Sequence, residues 1–149
     1  MKKMFALFLC ISLICALAVP ANATEEPIVI CSELTVLDNG MIVLCEILEY
    51  AGNNRSSDIV RTKRSTFYDD STIIAVIAIT ATFRYDGNTV SVISKSVSQC
   101  DTYEGWSYKQ TSFTSSGGTV TLNAKLTKLL IFNEPIQLAL SCDKNGNIT

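Results

Sequence analysis

Between Thr72 and Tyr85 the chain alternates without interruption. Ile73, Ala75, Ile77, Ile79, Ala81, Phe83 and Tyr85 fall on one side, while Ile74, Val76 and Ala78 give way to Thr80, Thr82 and Arg84 on the other. A side-chain period of two is that of a strand. One wholly apolar face and a second that is apolar only at its start belong to a strand placed centrally in a sheet. The run is also far shorter than the roughly 20 apolar residues that a membrane-crossing helix needs. The chain is thereby committed to a β architecture.

The same pattern recurs with tight turns between its copies. Asp86-Gly87 turns the central strand into Thr89 to Val97. Asp38-Asn39-Gly40 joins Ile28–Leu37 to Met41–Tyr50, a strong hairpin signal. Ser115-Ser116-Gly117-Gly118 precedes a run in which Val120, Leu122, Ala124 and Leu126 alternate with Thr121, Asn123, Lys125 and Thr127. Leu126 to Phe132 is ambiguous, since Leu126, Leu129 and Leu130 also suit a helical turn. Pro135 restarts the chain into a last strand with Ile136, Leu138, Leu140 and Cys142 on one face. Between Ala51 and Ser71 the pattern stops, and the glycine, the asparagines and the basic run Arg61-Thr62-Lys63-Arg64 predict a long mobile loop. In such a loop the basic run would suit a dibasic-directed protease. Six or seven strands in this order predict an all-β domain, an antiparallel β-sandwich of Greek-key type stabilised by disulfides, with a barrel as the alternative.

The first 23 residues read as a signal peptide. Lys2 and Lys3 precede an apolar run from Phe5 to Val19, and Ala21-Asn22-Ala23 supplies a small-x-small cleavage site. Cleavage there leaves residues 24–149 as a single domain without a transmembrane segment: an N-terminal hairpin over 24–50, the loop over 51–71 and the main sheet over 72–149. Removing Lys2 and Lys3 from 12 basic residues leaves 10 against 14 acidic ones, a net charge of −4. So acidic a domain has no footprint for nucleic acid. The expected destination is extracellular.

Four cysteines stay with the domain: Cys31, Cys45, Cys100 and Cys142. An even number in an exported chain predicts disulfides, and of the three possible pairings Cys100 with Cys142 and Cys31 with Cys45 is the one expected. The hairpin tests the second bond. If Leu37 faces Met41, Cys31 lies opposite Ile47, so Cys45 is a diagonal neighbour, and diagonal Cα atoms about 7 to 8 Å apart are long for a disulfide. That bond needs a bulge or another register.

The sequence contains no histidine, which excludes Ser/His/Asp and Cys/His nucleophile systems and histidine-ligated metals. No metal or cofactor is expected. Carboxylate pairs such as Asp69 with Asp70, or Asp101 with Glu104, read as solvated turn acids rather than a glycosidase pair. Asp143-Lys144-Asn145-Gly146-Asn147 begins like a calcium loop but puts its glycine at position 4 and offers no glutamate at position 12, so a polar turn is expected. Asn54-Arg55-Ser56 and Asn147-Ile148-Thr149 fit the glycosylation sequon. Tyr103, Trp106 and Tyr108 form the one aromatic cluster, suited to contact with a sugar or a protein, the competing role being a Trp106 that plugs the core.

The leader, Ala81-Thr82-Phe83-Arg84-Tyr85-Asp86-Gly87, the downstream Trp106 and the closing Ser141-Cys142-Asp143-Lys144-Asn145-Gly146-Asn147 together resemble small secreted proteins of Gram-positive gut bacteria, a domain of unknown function. The resemblance implies a bacterial extracellular setting, in which sequons and dibasic sites lose most of their meaning, and it carries over no functional residue. The expectation is a non-catalytic secreted binding module for a surface protein, glycan or cell-wall component, with Tyr103, Trp106 and Tyr108 in contact. The alternative is an antimicrobial or toxin-like effector acting on membranes, and a small hydrolase comes third.

Overall fold

A computed structural model describes residues 26–50, 58–129 and 131–149. The leader, with its cleavage site, and the first sequon lie outside the described residues. Eight strands follow one another: β1 Ile28–Val36, β2 Ile42–Glu49, β3 Asp58–Asp69, β4 Thr72–Tyr85, β5 Val90–Thr102, β6 Trp106–Ser116, β7 Thr119–Lys128 and β8 Phe132–Ser141. They form two antiparallel sheets, β1-β2-β3-β4-β5 and β6-β7-β8, each in chain order, and neither closes into a barrel. Every hydrogen-bonded neighbour is thus a neighbour in sequence. Among the described strands the expected Greek-key crossover is absent.

The chain passes from one sheet to the other at Tyr103-Glu104-Gly105. Two successive left-handed residues, Glu104 at φ 53° and Gly105 at φ 76°, swing it away from the edge of β5. Between the sheets lies one core. Ala75, Ile77, Ile79, Ala81 and Phe83 of β4 are buried against Val120, Leu122, Ala124 and Leu126 of β7 and Ile136, Leu138 and Leu140 of β8. The alternation that placed β4 at the centre is therefore real except at its first turn of pleat. A bulge at Ile74 shifts the register between Phe67–Ala75 and Tyr68–Ile73, so Ile74 is buried and Ile73 is exposed.

The mobile loop expected over 51–71 is overturned for its described part, because β3 occupies Asp58–Asp69 in the middle of the larger sheet. Its inward positions include Arg61 and Ser65, and Thr62 and Thr66 are buried on the other face. Cross-strand partners make this possible. Arg61 Nη2 lies 3.1 Å from Glu49, and Arg64 Nη2 lies 2.8 Å from Glu46, both on β2. The hydroxyls of Thr62 and Thr80 bond at 2.7 Å. A strand paired on both sides, with Arg61 and Thr62 buried, is no protease substrate, so the processing site is withdrawn.

The hairpin of β1 and β2 has the anticipated register, with Cys31 opposite Ile47 and Cys45 opposite Glu33. β1 is exposed along its whole length, apolar Ile28, Leu34 and Val36 included. Such an edge invites pairing with other chains. The bulge at Ile30 and the charge of Glu33 are its two blunting devices.

No two of the described cysteines lie at disulfide distance; all four are free thiols. Cys31 and Cys45 are diagonal, as the register requires. Cys100 pairs with Ile77 near one end of the sheets, whereas Cys142 follows β8 at the other end. At about 3.3 Å per residue this separation is on the order of 25 Å, and no rotamer closes it. Cys142 is buried in the core, as its place on the apolar face of the last strand predicts.

Candidate functional site

Because the strands run up and down in order, their turns collect at two ends. One end holds Leu37–Met41, Asp69–Thr72, Thr102–Trp106 and Lys128–Phe132. There the sheets leave an open cleft of about 530 Å³, lined by residues that include Asn39, Met41, Asp69, Trp106, Lys128, Phe132 and Glu134. Register explains why these residues meet. In the smaller sheet Trp106 pairs with Lys128, and Lys128 with Phe132, which puts the three side by side on the inner face at the mouth. The ring centroids of Trp106 and Phe132 are 6.3 Å apart at 41°, and Lys128 Nζ lies 5.8 Å from the Trp106 ring. From the larger sheet, the Asn39 side chain caps its own turn by accepting the Met41 N–H at 3.0 Å, and its amide donates to Glu134 across the cleft at 2.7 Å.

Two properties set this cleft apart. Trp106 is only 8% exposed, and its indole N–H is buried without an acceptor. Such an orphan donor costs about 1 to 3 kcal/mol, so buried donors are rarely left so. Second, the rim is apolar and exposed: Ile131 at 78%, Phe132 at 56% and Leu129 close by. A second hollow, about 210 Å³, lies under β8 where the larger sheet overhangs, and is lined by Val43, Cys45, Phe67 and Pro135 among others.

The three aromatic residues singled out in the sequence do not share a surface. Trp106 belongs to the core, the competing role weighed for it, and also lines the cleft. Tyr108 is half-buried on the same face, its hydroxyl buried without a partner, and burial followed by the nearby Cys100 pushes its phenol above the ordinary range. Tyr103 is 45% exposed in the turn that carries the chain between sheets and is not part of the cleft wall. Phe132, Lys128, Glu134 and Asn39 escaped sequence reasoning as site residues, and Asp69 reads there as a turn acid. The signal that would have found them is the pairing of Trp106 with Lys128 and Phe132, which requires the strand register.

The remaining chemistry is sparse. Burial, then the charges of Asp101 and Asp143 respectively, push the thiols of Cys100 and Cys142 upward, away from the reactive thiolate. Among the described residues no group of three acidic or cysteine side chains could hold a metal. The tail is the polar turn anticipated: Asp143 accepts the N–H groups of Asn145 and Asn147 at 2.8 and 2.9 Å and the Asn147 amide at 2.7 Å. These bonds hold its carboxyl below the usual carboxylate range. No family model, curated protein or solved structure matches the chain.

Proposed function

We propose that the chain is a secreted, non-catalytic binding module, its two sheets the layers of an open β-sandwich, and that the cleft at the turn end holds a segment of a surface protein. One observation carries this: an open, apolar-rimmed cleft lined by Trp106, whose indole N–H is buried without an acceptor. The size lies within the 300–1,000 Å³ of ordinary ligand pockets. The missing histidine and the upward-shifted thiols support a role without covalent chemistry. Trp106 is the sole tryptophan of the sequence, so its fluorescence reports on the cleft alone. Titrating the purified protein with peptide and oligosaccharide panels should give a saturable change in emission. A flat response to both panels would remove the proposal.

The membrane-active alternative draws on the same rim, where Leu129 and Ile131 are more than three-quarters exposed. Apolar turn tips of this kind can dip into a bilayer. Dye release from liposomes at micromolar protein is its test, and intact vesicles would set it aside.

A further inference from the structure

We infer that the occupant of the cleft is a protein segment in which a basic side chain stands next to an apolar one; this rests on the binding role proposed above and adds the chemistry of the ligand. The first ground is charge. The turns and strand ends at this end carry Asp38, Asp69, Asp70, Asp101, Glu104 and Glu134, against Lys128 as the single basic residue. Lys128 is itself turned toward the Trp106 ring. Asp69 and Glu134 stand in the cleft wall, where an incoming cation meets them directly. A low-dielectric wall focuses their field on whatever enters.

The second ground is independent of charge. The indole N–H of Trp106, a cleft-wall residue, is buried without an acceptor, so it gains one only if neighbouring side chains shift on binding, and a peptide carbonyl is the acceptor a protein segment brings at every residue. The third is the rim, on which Ile131 and Phe132 offer an apolar seat for a neighbouring side chain. An indole donor, two carboxylates and an apolar seat within one cleft correspond to a carbonyl, a cation and an aliphatic or aromatic side chain on the ligand.

The competing occupants fit less well. Sugar recognition uses an open aromatic face, which Trp106 at 8% exposure lacks, leaving Phe132 on the rim. Anionic lipid headgroups would meet six carboxylates. Both remain as outcomes of the test.

A displayed library of random nonapeptides is selected on the immobilised full-length protein, with neutral oligosaccharides and anionic liposomes as parallel probes. Enriched peptides are expected to carry Lys or Arg adjacent to Leu, Ile or Phe. Their binding should quench or shift Trp106 emission, weaken as salt rises, and fall at least tenfold in an Asp69→Asn, Glu134→Gln double variant. Trp106→Phe, which keeps an aromatic ring but deletes the N–H, should weaken binding several-fold with an unchanged circular dichroism spectrum. Enriched peptides without basic residues, or equal affinity for the double variant, would overturn the inference. So would binding of oligosaccharide or liposome in place of peptide, which leaves the cleft as a ligand site. Silence from all three probes strikes the binding role itself.

Discussion

The two ends of the molecule are built on opposite principles. At the end away from the cleft, backbone meets backbone. Cys142 N–H donates to the Gly118 carbonyl at 2.8 Å, Gly87 N–H to Lys144 at 2.9 Å, and Ser141 and Thr149 exchange a pair of bonds at 2.8 and 2.9 Å. Gly146 lies against the ring of Tyr85, and Ile148 bridges to Cys142 and packs on the core. At the cleft end, the hydrogen bond described across the sheets is the side-chain contact from Asn39 to Glu134. One end spends its polar groups on itself; the other leaves an indole N–H, the Asp69 carboxylate and apolar side chains uncommitted. A domain of this size can keep such a site only because its anchoring lies elsewhere.

The sharpest way to break the contrast is to damage the sealed end. A Cβ on Gly118 would collide with the Cys142 carbonyl and the Val90 side chain, so Gly118→Ala requires backbone movement and should cost roughly 2–4 kcal/mol. The urea midpoint measures it. Binding by the folded fraction should not change. Next is Gly146→Ala, where the left-handed φ of 87° and the Tyr85 ring, 2.6 Å from the new Cβ, act together; about 1–3 kcal/mol is expected. Tyr85→Ala in the same chain should return part of that loss, and an unchanged midpoint in the double variant would deny the contact.

At the cleft end the same measurements should hardly respond. Phe132→Ala removes a side chain that is more than half exposed, and should shift stability by less than about 0.5 kcal/mol while weakening the selected peptides at least fivefold. A large drop in the urea midpoint would show the ends to be alike. Smallest of all is an effect of acid. Asp143, held below its usual range in the folded state, contributes its stabilisation at neutral pH, and that contribution fades as pH falls below about 4 toward the folded-state value. Hydrogen exchange at the Asn145 and Asn147 amides should quicken over this window, and the Asp143→Asn variant should show no such dependence.

Much of this fold could be read from side-chain periodicity. The alternation in β4, the turn residues at 38–40, 86–87 and 117–118, and even the placement of Cys31 opposite Ile47 follow from a period of two and the length of a loop. β3 was hidden because its buried positions hold Arg61, Thr62, Ser65 and Thr66, and the partners of the first two, Glu49 and Thr80, are assigned only by register. Cysteine parity failed for a related reason. Four thiols say nothing about which end of a sheet each will occupy, and Cys100 and Cys142 occupy different ones. At the site, Trp106 was visible as a lone indole, but Lys128 and Phe132 join it from β7 and β8, so the cleft exists only once the smaller sheet has been assembled.

That assembly is simple in a way that bears on how the chain reaches its native state. Since each strand pairs only with its predecessor and successor, every ladder but β2-β3, whose innermost described pair Leu48–Thr62 encloses 13 residues, can zip from a turn of a few residues at small entropic cost. Neither sheet waits for a distant strand. The one non-local event is the docking of β6-β7-β8 onto the larger sheet about the Tyr103–Gly105 turn, which buries Phe83 against Leu122 and its neighbours. Folding should therefore be rapid within each sheet and limited by docking. In that case core substitutions on either inner face slow refolding, while changes confined to β1, outside the docked area, chiefly speed unfolding.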